Sequence, residues 1–104
     1  MSVDEAGLEE YASRIISKNR NMLIPYYLML SYGYYILDES VASNEFFDSI
    51  CSNLLNELDS LEHQHKHLIC VEALEAGTGY QIKEDEYPNL VKGGYRSLKD
   101  KFSK

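Results

Sequence analysis

The chain contains no tryptophan, only two prolines among its 104 residues, and ten basic side chains against seventeen acidic ones. Scarcity of proline removes the strongest helix breaker, so helical segments can run far without interruption. The deficit of Lys and Arg leaves a formal net charge of −7. Such a balance opposes direct nucleic-acid binding by the chain as a whole, because phosphate affinity comes mainly from cations that displace counterions. Two cysteines, Cys51 and Cys70, could pair in principle, but neither their spacing nor their context indicates secretion and neither sits at a familiar zinc-finger spacing, so reduced thiols are expected. No apolar stretch approaches a membrane span, and Met1-Ser2-Val3-Asp4-Glu5 lacks the basic start and apolar run of a signal peptide. A cytoplasmic protein with no membrane contact is the expectation.

What is present is an apolar content of 44%, with aromaticity carried by nine Tyr and three Phe. That suffices for one packed core, and residues 1–104 are read as a single helical domain. Charge is uneven: residues 1–62 hold eleven acids against three bases, whereas residues 88–104 hold five bases against one acid. An acidic body with a basic C-terminal end can dock a basic partner or imitate nucleic acid, although acidity of this kind more often serves solubility.

Apolar periodicity predicts four or five helices in a compact all-α bundle. Ser2 and Glu5 stand at capping-box spacing before Leu8, Tyr11, Ala12, Ile15 and Ile16, which share one face of a helix over about 4–18. Ile24-Pro25 opens a second helix from Tyr26 to Leu37 that is apolar or aromatic on nearly every side and therefore central. Gly33 within it invites another element to approach closely. Asp38-Glu39-Ser40 breaks the pattern, and Ser43 is a good N-cap for a third helix over about 44–62, with Phe47, Ile50, Cys51, Leu54, Leu58 and Leu61 on its apolar stripe. A short helix over about 68–76 is stopped at Gly77; residues 77–87 are irregular, with an extended piece at Tyr80-Gln81-Ile82. Pro88 initiates a basic last helix over about 88–103 carrying Val91, Tyr95, Leu98 and Phe102.

The joint between the second and third helices gathers Tyr34-Tyr35-Ile36-Leu37-Asp38 and Ser43-Asn44-Glu45-Phe46-Phe47-Asp48. This hairpin, about 26–62, resembles the small N-terminal Ia domain of NAD-dependent DNA ligases, where a Tyr-His pair ends one helix and an Asp-x-x-Tyr-Asp cluster opens the next. The resemblance implies a site for the nicotinamide mononucleotide half of NAD. Tyr34 and Phe47 fall where that family stacks aromatic rings on the two faces of nicotinamide, and Asp48 matches its acidic residue. Asn44 replaces an Asp, and Tyr35 replaces the His that assists the phosphate. These departures weaken the polar half of the site more than the stacking half, since stacking needs only a flat ring. Stand-alone versions of the pattern look like small bacteriophage proteins, which implies the host cytoplasm as the setting.

Ligase chemistry by this chain alone is not expected, because it lacks a Lys-x-Asp-Gly adenylation motif and the length for a nucleotidyltransferase core; Lys83-Glu84-Asp85-Glu86 is no substitute. No Ser/His/Asp or Cys/His set stands in a recognisable nucleophile turn. His63, His65 and His67 with Glu62 raise a metal site, but alternate spacing brings three imidazoles together only on an extended segment, so none is assigned. The reading is therefore a non-catalytic binding or accessory protein that requires no cofactor, with nicotinamide mononucleotide or NAD as ligand at Tyr34, Tyr35, Asn44, Phe47 and Asp48. The alternative is an acidic interaction module that binds or inhibits a host protein.

Overall fold

The computed structural model describes residues 3–103. The fold is all-α, with helices α1 (Glu5–Lys18), α2 (Leu23–Ser31), α3 (Asn44–Glu57), α4 (Val71–Ala76) and α5 (Asn89–Lys101). Among the described residues the only strand-like pairing is an antiparallel bridge between Val3 and Ser103, which ties the entry of α1 to the exit of α5.

Helix α1 starts because the Asp4 carboxylate accepts the Gly7 N–H at 3.1 Å, satisfying a donor that has no partner inside the helix. The Ser2 half of the expected capping box lies outside the described residues. Leu8, Ala12 and Ile16 are buried, while Tyr11 and Ile15 lie half-buried at the margin of the same face.

Helix α2 buries all of its side chains except Pro25, which lies at an intermediate position. A helix with no polar face must sit at the centre of a bundle, and α2 contacts both α3 and α5. It begins at Leu23, so Pro25 stands within the first turn, where a missing N–H leaves no bond unmade. The regular helix does not reach Leu37 as the periodicity predicts. From Tyr32 to Ile36 it widens into a π turn, in which the Leu37 N–H donates to the Tyr32 carbonyl at 3.2 Å. Tyr95 of α5 lies against this turn. A Cβ at Gly33 would come 2.4 Å from Tyr95 Cε1, so only glycine lets the two elements meet. The Tyr32 ring stays in the core, edge-on to Tyr87 at 5.2 Å and to Tyr95 at 5.8 Å.

The chain then reverses. Asp38 adopts a left-handed φ of 55°, a conformation short polar side chains tolerate better than most. The Glu39 N–H donates to the Gly33 carbonyl at 2.8 Å. Ser43 caps α3 by accepting the Phe46 N–H at 3.2 Å.

Regular α3 ends at Glu57, earlier than the expected 62, and one tighter turn, Leu58–Ser60, follows. Two ties hold the chain there to the α1–α2 connection: Arg20 grips the Glu57 carboxylate through both Nε and Nη2, and the Glu62 N–H donates to Asn21 Oδ1 at 2.9 Å. Helix α4 likewise begins at Val71 and not near 68, because Lys66–Leu68 form a separate turn and the chain extends through Cys70. It stops at Gly77, whose φ of 70° is the left-handed cap that glycine supplies without strain. The extended piece expected at Tyr80-Gln81-Ile82 is a turn instead. Its neighbour Gly79 lies against α2, where a Cβ would come 2.3 Å from Ser31 Oγ, and this close backbone approach accounts for a fully buried serine.

Helix α5 runs unbroken through Gly93-Gly94 and buries Val91, Tyr95 and Leu98. Its basic end folds back on the acidic body: Lys99 pairs with Glu39, and Lys101 Nζ lies 4.9 Å from the centre of the Tyr11 ring.

Alanine at a helical glycine ordinarily gains about 0.5–1 kcal/mol. At Gly93, where a Cβ would meet nothing within 4 Å, urea denaturation should show that gain. Gly33→Ala should instead lose about 1–2 kcal/mol, as overpacking against Tyr95 outweighs propensity. Equal effects at the two positions would contradict the Gly33–Tyr95 contact.

Candidate functional site

The π turn and the start of α3 enclose a cleft of about 290 Å³. All five residues singled out in the sequence, Tyr34, Tyr35, Asn44, Phe47 and Asp48, line it. Leu30 and Val41 supply apolar wall, and Glu39 and Gly77 are further lining residues. The volume lies near the lower end of small-molecule sites, which begin at about 300 Å³. It has room for a ring and an adjoining group but not for a whole dinucleotide.

The aromatic side chains are not equivalent. Tyr34 is half exposed and meets Tyr35 edge-on, with ring centres 4.8 Å apart. Phe47 is half-buried and lies nearly parallel to Tyr27 of α2, with centres 5.7 Å apart and planes 19° from one another. Since Tyr27 covers one face of Phe47, a ligand ring can use only the other. Tyr27 is itself fixed: its hydroxyl donates to the Thr78 carbonyl at 2.7 Å and accepts from Gln81 Nε2 at 3.4 Å. Burial pushes the Tyr27 hydroxyl up to about 12, so it stays protonated and supports the stack as a neutral donor.

Burial also raises the Tyr35 hydroxyl above its ordinary value. Where the resemblance places a phosphate-assisting histidine, this chain therefore offers a neutral phenol. Cys51, one turn beyond Asp48 and buried beneath the site, is pushed up to about 12 by desolvation first and by Asp48 second. It remains a thiol, and nucleophilic chemistry from it is not favoured.

The carboxylates of the cleft differ in their engagement. Glu39 accepts a hydrogen bond from the Tyr95 hydroxyl at 3.0 Å and pairs with Lys99. Hydrogen bonding to Lys99 is the main reason its carboxyl lies below the ordinary value, with Tyr95 assisting. Asp48 is exposed and, among the described residues, has no hydrogen-bond or salt-bridge partner. Behind the cleft, Glu9 of α1 reaches the start of α3 and accepts the Ser43 N–H at 2.7 Å.

Sequence reasoning found the joint but missed Glu39, Glu9 and Gly77. Glu39 had a local signal, as the one long acidic side chain in the reversing turn. Glu9 and Gly77 had none, because both arrive from elsewhere in the chain; Asp48 Oδ1 lies 3.1 Å from where a Gly77 Cβ would stand.

The histidine segment lies outside this cleft. His63 and His65 rings are 5.2 Å apart, and His63 Nδ1 accepts the His65 N–H at 3.1 Å, whereas His67 is exposed. Among the described residues no group of three or more His, Cys, Asp or Glu side chains converges as metal ligands would. Among them, too, no helix is long and apolar enough to cross a membrane. Comparison with family models, with curated proteins and with solved structures finds no match to this chain.

The Glu39–Lys99 pair has a pH signature. Because the folded-state carboxyl is depressed, the pair contributes stability above the ordinary carboxylate value of 4.5 and loses it as pH falls through the lower folded value. Both side chains are about one-third exposed, so its worth is about 0.2–1 kcal/mol. Glu39→Gln should destabilise the protein near neutral pH and converge with the parent in acid, as measured by denaturation at a series of pH values. A deficit that persists unchanged into acid would mean that the pair is not what Glu39 contributes.

Proposed function

We propose that the protein is a non-catalytic binding module whose cleft at the α2–α3 joint receives the nicotinamide ring of nicotinamide mononucleotide or NAD. The convergence of Tyr34, Tyr35, Asn44, Phe47 and Asp48 on one cleft carries the reading. Phe47 offers a flat face already backed by Tyr27, so little order is lost when a second ring stacks on it. Tyr34 offers a second ring whose half-exposed position leaves it free to adjust. The π turn that precedes the cleft is a helical irregularity often found where helices carry a site. The ligase-like pattern of the joint supplies the choice of nicotinamide over other rings. Nothing in the cleft combines a nucleophile with a base, which favours binding without turnover.

A second reading, an interaction module for a host protein, is favoured by exposed apolar side chains that do not line the cleft. Tyr80 and Leu90 are 70% and 71% exposed, more than a side chain serving only the fold requires. Binding of that kind would be indifferent to changes at Phe47.

Titration with nicotinamide mononucleotide and NAD, followed by amide chemical shifts, should move the signals of Tyr34, Asn44 and Asp48. Phe47→Ala should abolish those shifts while leaving helix content within a few per cent by circular dichroism, roughly as expected for a half-buried ring whose loss costs about 1–3 kcal/mol. Silence at millimolar ligand would overturn the nucleotide reading and leave the interaction module.

A further inference from the structure

The electrostatics of the cleft are one-sided. Its lining contains two carboxylates, Glu39 and Asp48, and no Lys or Arg. Lys99 pairs with the lining Glu39 and is thereby already engaged. The start of α3, which would otherwise attract an anion, receives the chain's own Glu9 carboxylate at the Ser43 N–H and carries Glu45 in its first turn. A phosphate placed here would meet two lining carboxylates and no Lys or Arg of the lining.

Resting on the nicotinamide reading above, we infer that the cleft selects a flat aromatic cation and draws no affinity from a phosphate. Quaternised nicotinamide, as it occurs when the ring nitrogen carries a ribose, has a formal positive charge spread over a plane. The π faces of Tyr34 and Phe47 attract such a charge. Asp48, exposed at the cleft and without a partner among the described residues, supplies the counter-charge. Neutral nicotinamide would gain the stacking alone. A mononucleotide would gain the same ring contacts as its riboside and meet repulsion at its phosphate. The ligand class is thus the pyridinium cation, alone or as the ring of a nucleotide whose phosphate adds no affinity, and the phenol of Tyr35 in place of a histidine accords with a phosphate that is not held.

Four probes separate the terms: nicotinamide, 1-methylnicotinamide, nicotinamide riboside and nicotinamide mononucleotide, each titrated into the full chain at low ionic strength. The methylated cation should bind roughly 3- to 10-fold more tightly than neutral nicotinamide, the range expected of a partly exposed cation–π and carboxylate contact. The riboside should bind at least as tightly as the mononucleotide. Asp48→Asn, a substitution of the same size at an exposed position, should reduce both the preference for the methylated cation and the disadvantage of the phosphate. Equal binding of nicotinamide and 1-methylnicotinamide, or a mononucleotide tighter than the riboside, would overturn cation selection while leaving nicotinamide binding in place. Failure of all four probes would overturn both. Added 0.5 M NaCl supplies an independent check: it should weaken the methylated cation and leave nicotinamide unchanged, and the opposite pattern would contradict the inference.

Discussion

Helix α2 has no face left for water, and the rest of the molecule is arranged to cover it. Its side chains from Leu23 to Ser31 are buried apart from Pro25, with α3 and α5 packed against it, and the backbone at Gly79 approaches Ser31 where one side chain is small. Each large apolar group covered in this way contributes about 1.5–3 kcal/mol, which makes α2 the part of the chain least able to move. The cleft begins where that burial ends. Tyr32 is the last aromatic of this segment held in the core, and the π turn it opens brings Tyr34 and Tyr35 to the cleft.

Rigidity reaches the site through two contacts. Tyr27 of α2 backs the Phe47 ring from below, and Tyr95 of α5 fills the space beside Gly33 while its hydroxyl holds Glu39. Two walls of the cleft are therefore fixed by core residues that do not line it. Tyr34 and Asp48, by contrast, are exposed to solvent and have fewer constraints. A preformed stacking face combined with an adjustable partner suits recognition of a flat ligand, because the ordering cost falls on one side chain.

Much of this was legible in the sequence because it is local. The all-apolar second helix, the serine cap before α3 and the left-handed glycine after α4 each leave a signature within a few residues. The helix ends were less legible. Periodicity carried the second helix to Leu37 and the third to 62, but the π turn depends on Tyr95, and the end of α3 depends on Arg20 and Asn21. Those partners lie tens of residues away, so no window of sequence contains both. The site divides in the same way: the five residues of the joint could be read together, whereas Glu9, which occupies the N–H at the head of α3, becomes visible only when α1 is folded against it.

In the proposed complex a flat ring lodges between Tyr34 and the face of Phe47 that Tyr27 does not cover. Intermolecular nuclear Overhauser effects between the ring protons of bound nicotinamide riboside and the protein's aromatic side chains test it most directly. Cross-peaks are expected to both Tyr34 and Phe47, and none to Tyr27, whose ring is buried against Phe47. Cross-peaks confined to residues outside the cleft, such as Tyr80 or Tyr11, would contradict it.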